Sequence, residues 1–135
     1  MTKLITEAMK AREKAYAPYS KFKVGCAILA ESGELYSGCN IENSSYSLSI
    51  CAERVAVAKA ITNGDLKFKR MVVVGGNESE RTELSDYCQP CGACLQVLAE
   101  FVDKDNFEIV LAKNFNDIKK FVFKDLMPIT FSLNI

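Results

Sequence analysis

The run "RMVVVGG", Arg70 to Gly76, constrains the fold more than any other stretch of the chain. It is apolar at consecutive positions and rich in β-branched valine. Such a run has no polar side to turn to water, so it reads as a strand buried on both faces. The neighbouring sequence supplies helices to cover it. Leu4, Ile5, Ala8, Met9, Ala11 and Ala15 recur at helical spacing between charges. They predict an amphipathic helix over residues 3–16, capped by Thr2 and ended by Pro18. "FKVGCAILA" (22–30) and "ELYSGCNIE" (34–42) predict two strands joined through the turn signal "ESGE". "CAERVAVAKAITN" (51–63) predicts a second helix closed by Gly64. "NESERTELSDY" is polar and reads as a surface loop. "CGACLQVLAEFV" (91–102) predicts a third helix starting just after Pro90. "FEIVLA" and "KKFVF" read as two more strands, and "DLMP" as a short helical turn. Strands separated by helices imply parallel neighbours, and the hairpin makes the sheet mixed. The expected fold is α/β, a three-layer α-β-α sandwich with a mixed sheet of about five strands. Residues 1–135 form one domain on this reading.

Composition excludes several function classes. Lysine and arginine number 17, against 17 aspartate and glutamate. A chain with no net charge lacks the basic excess of a protein whose partner is a nucleic-acid backbone. Lys67, Lys69 and Arg70, or Lys119 and Lys120, read as solvated faces. The start "MTKLITEAMKAREKAY" has no long apolar run, so no signal peptide is expected. No stretch approaches the roughly 20 apolar residues that span a bilayer, so no membrane partner is expected. A reducing, cytoplasmic location follows, in which C-x-x-C points to metal or catalysis more than to a structural disulfide. The chain has no histidine. Carboxylates, thiolates and a metal must therefore carry any chemistry.

Two short motifs supply those groups. "CAER" opens the second predicted helix and "PCGAC" the third. Cys51 then sits at one helix start, and Cys91 and Cys94 at another. Free N–H groups and the positive dipole end lower thiol pKa there and favour the metal-binding thiolate. Cys91 and Cys94 lie one turn apart, on the same side of their helix. Three thiolates suit zinc, and a catalytic zinc keeps its fourth position open for water. Glu53 follows Cys51 by two residues and could reach that position without being a ligand. Zinc with three thiolates carries net negative charge, which Arg54 is placed to offset. The residues alone leave other readings open. A disulfide oxidoreductase would need only C-x-x-C. An iron–sulfur run of the bacterial ferredoxin kind would need cysteine where Leu98 stands. A closed, structural four-thiol zinc site would need Cys88 or Cys39. Cys26, within a strand, reads as buried packing.

"CNIEN", "CAER" and "PCGAC" in this order resemble the small, zinc-dependent cytidine deaminases that form homotetramers. The likeness runs from "AYAPYSKFKVG" to "DLMPITF", nearly the whole chain. It implies one Zn²⁺ per chain, held by Cys51, Cys91 and Cys94, and a nucleoside as the small-molecule substrate. It implies hydrolysis of cytidine and 2′-deoxycytidine to their uracil nucleosides, with loss of ammonia, as a step of pyrimidine salvage. Glu53 would move a proton from the activated water to N3 of the base as C4 is attacked. The backbone at Ala52 would contact the base, and Phe22 would pack beside the substrate. Asn40 and Glu42 match the ribose-binding pair, and a separation of two residues on a strand puts both on one face. Ser44, Tyr46 and Phe131 match positions lent by neighbouring subunits of the tetramer.

The chain departs from that pattern at Leu95, where arginine commonly follows "PCGAC". Arg54 and Gln96 would then carry more of the charge compensation. Two rival readings remain. One is a deaminase of a cytosine-containing antibiotic such as blasticidin S. The other is a non-catalytic zinc-binding module, which would have no use for Glu53.

Overall fold

The computed structural model describes residues 1–133. In chain order they form α1 (Thr2–Glu13), β1 (Phe22–Ala30), β2 (Leu35–Cys39), α2 (Ala52–Thr62), β3 (Phe68–Asn77), α3 (Gly92–Ala99), β4 (Glu108–Ala112), β5 (Ile118–Val122) and α4 (Phe123–Leu126). A 3₁₀ turn at Tyr46–Leu48 lies in the loop before α2. The five strands make one mixed sheet in the order β2-β1-β3-β4-β5. β1 pairs antiparallel with both β2 and β3, and β4 pairs antiparallel with β5. β3 and β4 pair parallel and are joined across α3.

The valine run is the middle of this sheet, and its side chains divide by period two. Val72 and Val74 pack with Leu4, Ile5 and Ala8 of α1. Met71 and Val73 pack on the other face with Ala56 and Val57 of α2 and Leu98 of α3. The result is the three-layer arrangement expected from the sequence. Two glycines set the layer distances. A Cβ at Gly25 would lie 2.0 Å from the carbonyl oxygen of Ala8, so α1 rests directly on β1. A Cβ at Gly38 would lie 2.6 Å from the amide nitrogen of Ala56, so α2 rests directly on β2.

Several boundaries differ from the sequence reading, each for a tertiary reason. Thr2 does not cap α1 but lies inside it, after Met1, and its carbonyl accepts from the Thr6 hydroxyl. α1 stops at Glu13, not residue 16, because Tyr16 is drawn into a bridge with Ile41. β2 ends at Cys39, because the Asn40 side chain takes over the pairing with β1. α3 ends at Ala99, and Val102 leaves its axis to bridge Phe68 at the start of β3. The short turn expected at "DLMP" begins earlier, at Phe123, whose ring is fully buried.

Arg12, a charged residue of α1, is 5% exposed. Its guanidinium donates to the carbonyl oxygens of Lys23, Gly76, Asn77, Glu80 and Arg81. It thereby ties α1 to the chain leaving β3. Among the described residues no helix is long and apolar enough to cross a membrane.

Candidate metal centre

Strand order places the site. β2 and β3 flank β1 on either side and both run antiparallel to it, so they share a direction. Their ends lie level: Gly25 pairs with Cys39 on one side and Val74 on the other. α2 follows β2 and α3 follows β3, so both helices begin at the same rim of the sheet. Cys51 is the N-cap of α2, Cys91 is the N-cap of α3, and Cys94 lies in the first turn of α3.

Their three sulfurs lie within 4.8 Å of one another. Cys51 Sγ is 3.9 Å from Cys91 Sγ, and Cys91 Sγ is 3.4 Å from Cys94 Sγ. Zinc bound tetrahedrally to sulfur at about 2.3 Å places its sulfurs about 3.8 Å apart, so the trio fits a zinc ion. Thiolates are soft donors, and three of them leave one tetrahedral position free. Cys88 stands outside the trio. It packs against Gly75, where an added Cβ would lie 2.8 Å from its sulfur.

Charges are arranged unequally around the cluster. The thiol of Cys51 is lowered to about 5. The hydrogen bond from Cys94 is the largest cause, and the bond from Arg54 adds to it against the cost of burial. Cys94 moves the other way, because its proton is the one shared with Cys51. Arg54 Nη2 lies 3.6 Å from Cys51 Sγ. Gln96 is not there. Its amide donates to the Phe131 carbonyl at 3.0 Å, so it holds the C-terminal segment and no sulfur. Leu95 is buried in the core against α2 and the sheet. Arg54 therefore stands as the guanidinium at the cluster.

Glu53 is 4% exposed in the first turn of α2. Burial is the main reason its carboxyl rises to about 7, and the neighbouring Cys51 charge adds to the shift. A buried carboxyl that titrates near neutrality both takes and gives protons readily.

A cavity of about 220 Å³ opens beside the thiols. Asn40, Glu42, Cys51, Ala52, Glu53 and Cys91 line it, with Val24 and Cys88. A larger one, about 370 Å³, lies at the opposite end of the strands among Phe68, Arg70 and Glu108, away from the cluster. Phe22 stands 43% exposed at the start of β1 and is not part of the cavity lining. The Asn40 amide is already engaged, accepting from Val24 N at 2.9 Å and donating to Phe22 O at 2.9 Å. One donor hydrogen and one lone pair remain on it. Glu42 accepts from the backbone of Tyr19 and Ser20 and from the Ser20 hydroxyl. Ser44 is exposed, and Tyr46 is 75% exposed with its ring edge-on to Tyr19. Phe131 is 68% exposed. Val24, Ser49, Ile50 and Gln89 in the lining, and Ser20 behind Glu42, are the residues that the motif spacing did not reveal. A serine beside proline and tyrosine in "APYSKF" reads only as a turn.

Comparison with known proteins agrees with this geometry. Residues 1–109 match the family described as the cytidine and deoxycytidylate deaminase zinc-binding region. A cytidine deaminase of Sporosarcina psychrophila is 48% identical over 130 residues, covering 96% of this chain and 90% of that one. The crystal structure of a cytidine deaminase from Burkholderia pseudomallei superposes with a TM-score of 0.84 at 42% identity, covering 96% of this chain and 98% of that one. A blasticidin-S deaminase of Bacillus cereus is more distant, 29% identical over 116 residues, covering 85% of this chain and 81% of that one. With its thiol trio at two helix starts and a buried glutamate two residues from the first thiol, the chain belongs to the cytidine and deoxycytidylate deaminase family.

Proposed function

We propose that this chain hydrolyses the exocyclic amine of cytidine and 2′-deoxycytidine, releasing ammonia and the uracil nucleoside. The observation that carries the reading is Glu53, a buried carboxyl raised to about 7, lining one cavity with Cys51 and Cys91. In this reading Cys51, Cys91 and Cys94 hold one zinc ion. When bound, zinc supplies the Lewis acid that activates water at neutral pH. Glu53 accepts a proton from that water, gives it to N3 of the base, and carries another to the departing amino group. The backbone at Ala52 meets the base, and Phe22 packs near the substrate. Asn40 and Glu42, which line the same cavity, take the sugar. Arg54 offsets the thiolate charge.

Ser44, Tyr46 and Phe131 are assigned to the site of a neighbouring copy in a homotetramer. Tyr46, Leu48, Ile129, Phe131 and Leu133 are all large, apolar and more than two-thirds exposed, which supports burial against another copy. All six cysteines are free, which supports a reducing, cytoplasmic setting. A nucleoside-salvage role follows from the reaction, and the balanced charge favours a free nucleoside over a polynucleotide.

The deciding experiment is ammonia release from cytidine by zinc-loaded protein, beside Glu53→Ala at matched zinc content. Turnover by the wild type and a loss of about 10²–10⁴-fold or more in the variant supports the reading. Zinc bound at one per chain with no turnover of either nucleoside replaces it with the non-catalytic module.

A further inference from the structure

The segment between α1 and β1 is folded onto Glu42. Tyr16 N donates to Asn40 O at 3.0 Å, and Glu42 N donates to Tyr16 O at 2.8 Å. Lys21 then adopts φ +60°, a left-handed conformation that side chains other than glycine seldom take. Its amide closes the turn by donating to Ala17 O at 3.0 Å. The turn aims two consecutive amides, of Tyr19 and Ser20, at Glu42 Oε1, each at 3.1 Å.

The other carboxylate oxygen, Oε2, receives the Ser20 hydroxyl. Ser20 Oγ in turn accepts from Phe22 N at 3.0 Å. The hydroxyl thus accepts from one amide and donates its proton to Glu42. Three donors thus hold both oxygens of one side chain at the cavity wall. A carboxylate has about four acceptor positions, so one is left for an incoming hydroxyl.

We propose that Ser20 is a positioning residue for the sugar of the nucleoside. It orients Glu42 so that the unused lone pair faces the sugar hydroxyl. The proposal rests on the reading of Glu42 as a sugar-binding group. Ser20 is not among the residues that line the cavity beside the thiols. Its removal should weaken recognition of the sugar and leave the chemical step nearly intact.

The test compares cytidine with an analogue lacking both secondary sugar hydroxyls. KM and kcat are measured for each, and binding of each is measured in parallel by calorimetry, so that the result does not depend on turnover. The variants are Ser20→Ala, Ser20→Thr and Glu42→Gln. Ser20 is exposed, so Ala and Thr both leave the fold intact. Ser20→Ala should raise KM and Kd for cytidine about tenfold, the effect of one lost hydrogen bond to a charged group. It should leave kcat and all values for the analogue unchanged. Ser20→Thr keeps the hydroxyl and should restore cytidine affinity. If Glu42→Gln weakens cytidine selectively but Ser20→Ala does not, the role of Ser20 is overturned and the sugar reading stands. If neither variant distinguishes the two nucleosides, the sugar reading itself falls, and the proposal with it. Equal weakening of both nucleosides by Ser20→Ala overturns the proposal as well, because it marks a general loosening of the loop.

Discussion

The Nη2 of Arg54, in the first turn of α2, lies 3.6 Å from the Sγ of Cys51, the N-cap residue three positions before it. That contact stabilises the charged form of the sulfur. Arg54→Gln should therefore raise the pH at which thiolate appears in the metal-free protein, away from about 5 for Cys51 and toward the ordinary thiol range. Zinc affinity should fall about 10–100-fold, as for loss of a group that supports a metal ligand. Ultraviolet thiolate absorbance against pH reads the first effect, and competition with a chelator reads the second. An unchanged thiolate midpoint would remove Arg54 from the charge balance.

Cys88 tests whether the cluster has three sulfurs or four. It packs over Gly75 and its thiol is pushed up to about 12, chiefly by burial, so it stays neutral. Cys88→Ala should retain one zinc per chain, whereas Cys91→Ala should lose it. Metal analysis after dialysis separates the outcomes. Loss of zinc from Cys88→Ala would mean a closed four-thiol site.

Gly38 holds α2 against the sheet and so sets the height of Cys51 and Glu53. The Cβ of Gly38→Ala would lie 2.6 Å from Ala56 N and 2.7 Å from Ala52 O, both backbone atoms that cannot swing aside. The helix must move. The variant should lose about 1–3 kcal/mol of stability, typical of overpacking. It should also bind zinc more weakly, because Cys51 travels with the helix. Denaturant unfolding and zinc titration of the same sample check both.

Glu80 provides a pH signature outside the site. Its carboxylate accepts from the Ser85 hydroxyl, Ser85 N and Asn77 N, and these bonds lower its pKa, the Ser85 hydroxyl most. A carboxyl depressed in the folded state contributes stability that is complete above its unfolded pKa and disappears as pH falls through the folded one. Glu80→Gln should thus be less stable than the wild type at neutral pH, and the difference should shrink in acid. Urea midpoints at neutral and acid pH measure it. A gap that stays constant with pH would show that Glu80 acts only through geometry.

Much of the chain was legible before folding was considered. The valine run declared itself the centre of the sheet because it has no polar face. "CAER" and "PCGAC" declared two helix starts, because cap position, helical spacing and thiol chemistry all act within a few residues. Leu95 and Gln96 were not legible in the same way. One enters the core and the other ties down Phe131, and both outcomes depend on elements distant in sequence.

The sequence by itself determined which segments are apolar on both faces, where helices begin, and which residues can ionise or bind a metal. These are local properties, set by side-chain type and spacing. Only the tertiary structure decided that β1 lies between β2 and β3, and so that Cys51 meets Cys91 across 40 residues of chain. It likewise decided that Arg12 donates to five backbone carbonyls and that the Ser20 hydroxyl donates to Glu42. Those pairings join groups far apart along the chain, and no periodicity records them, because they form only when a strand order brings the partners within hydrogen-bonding distance.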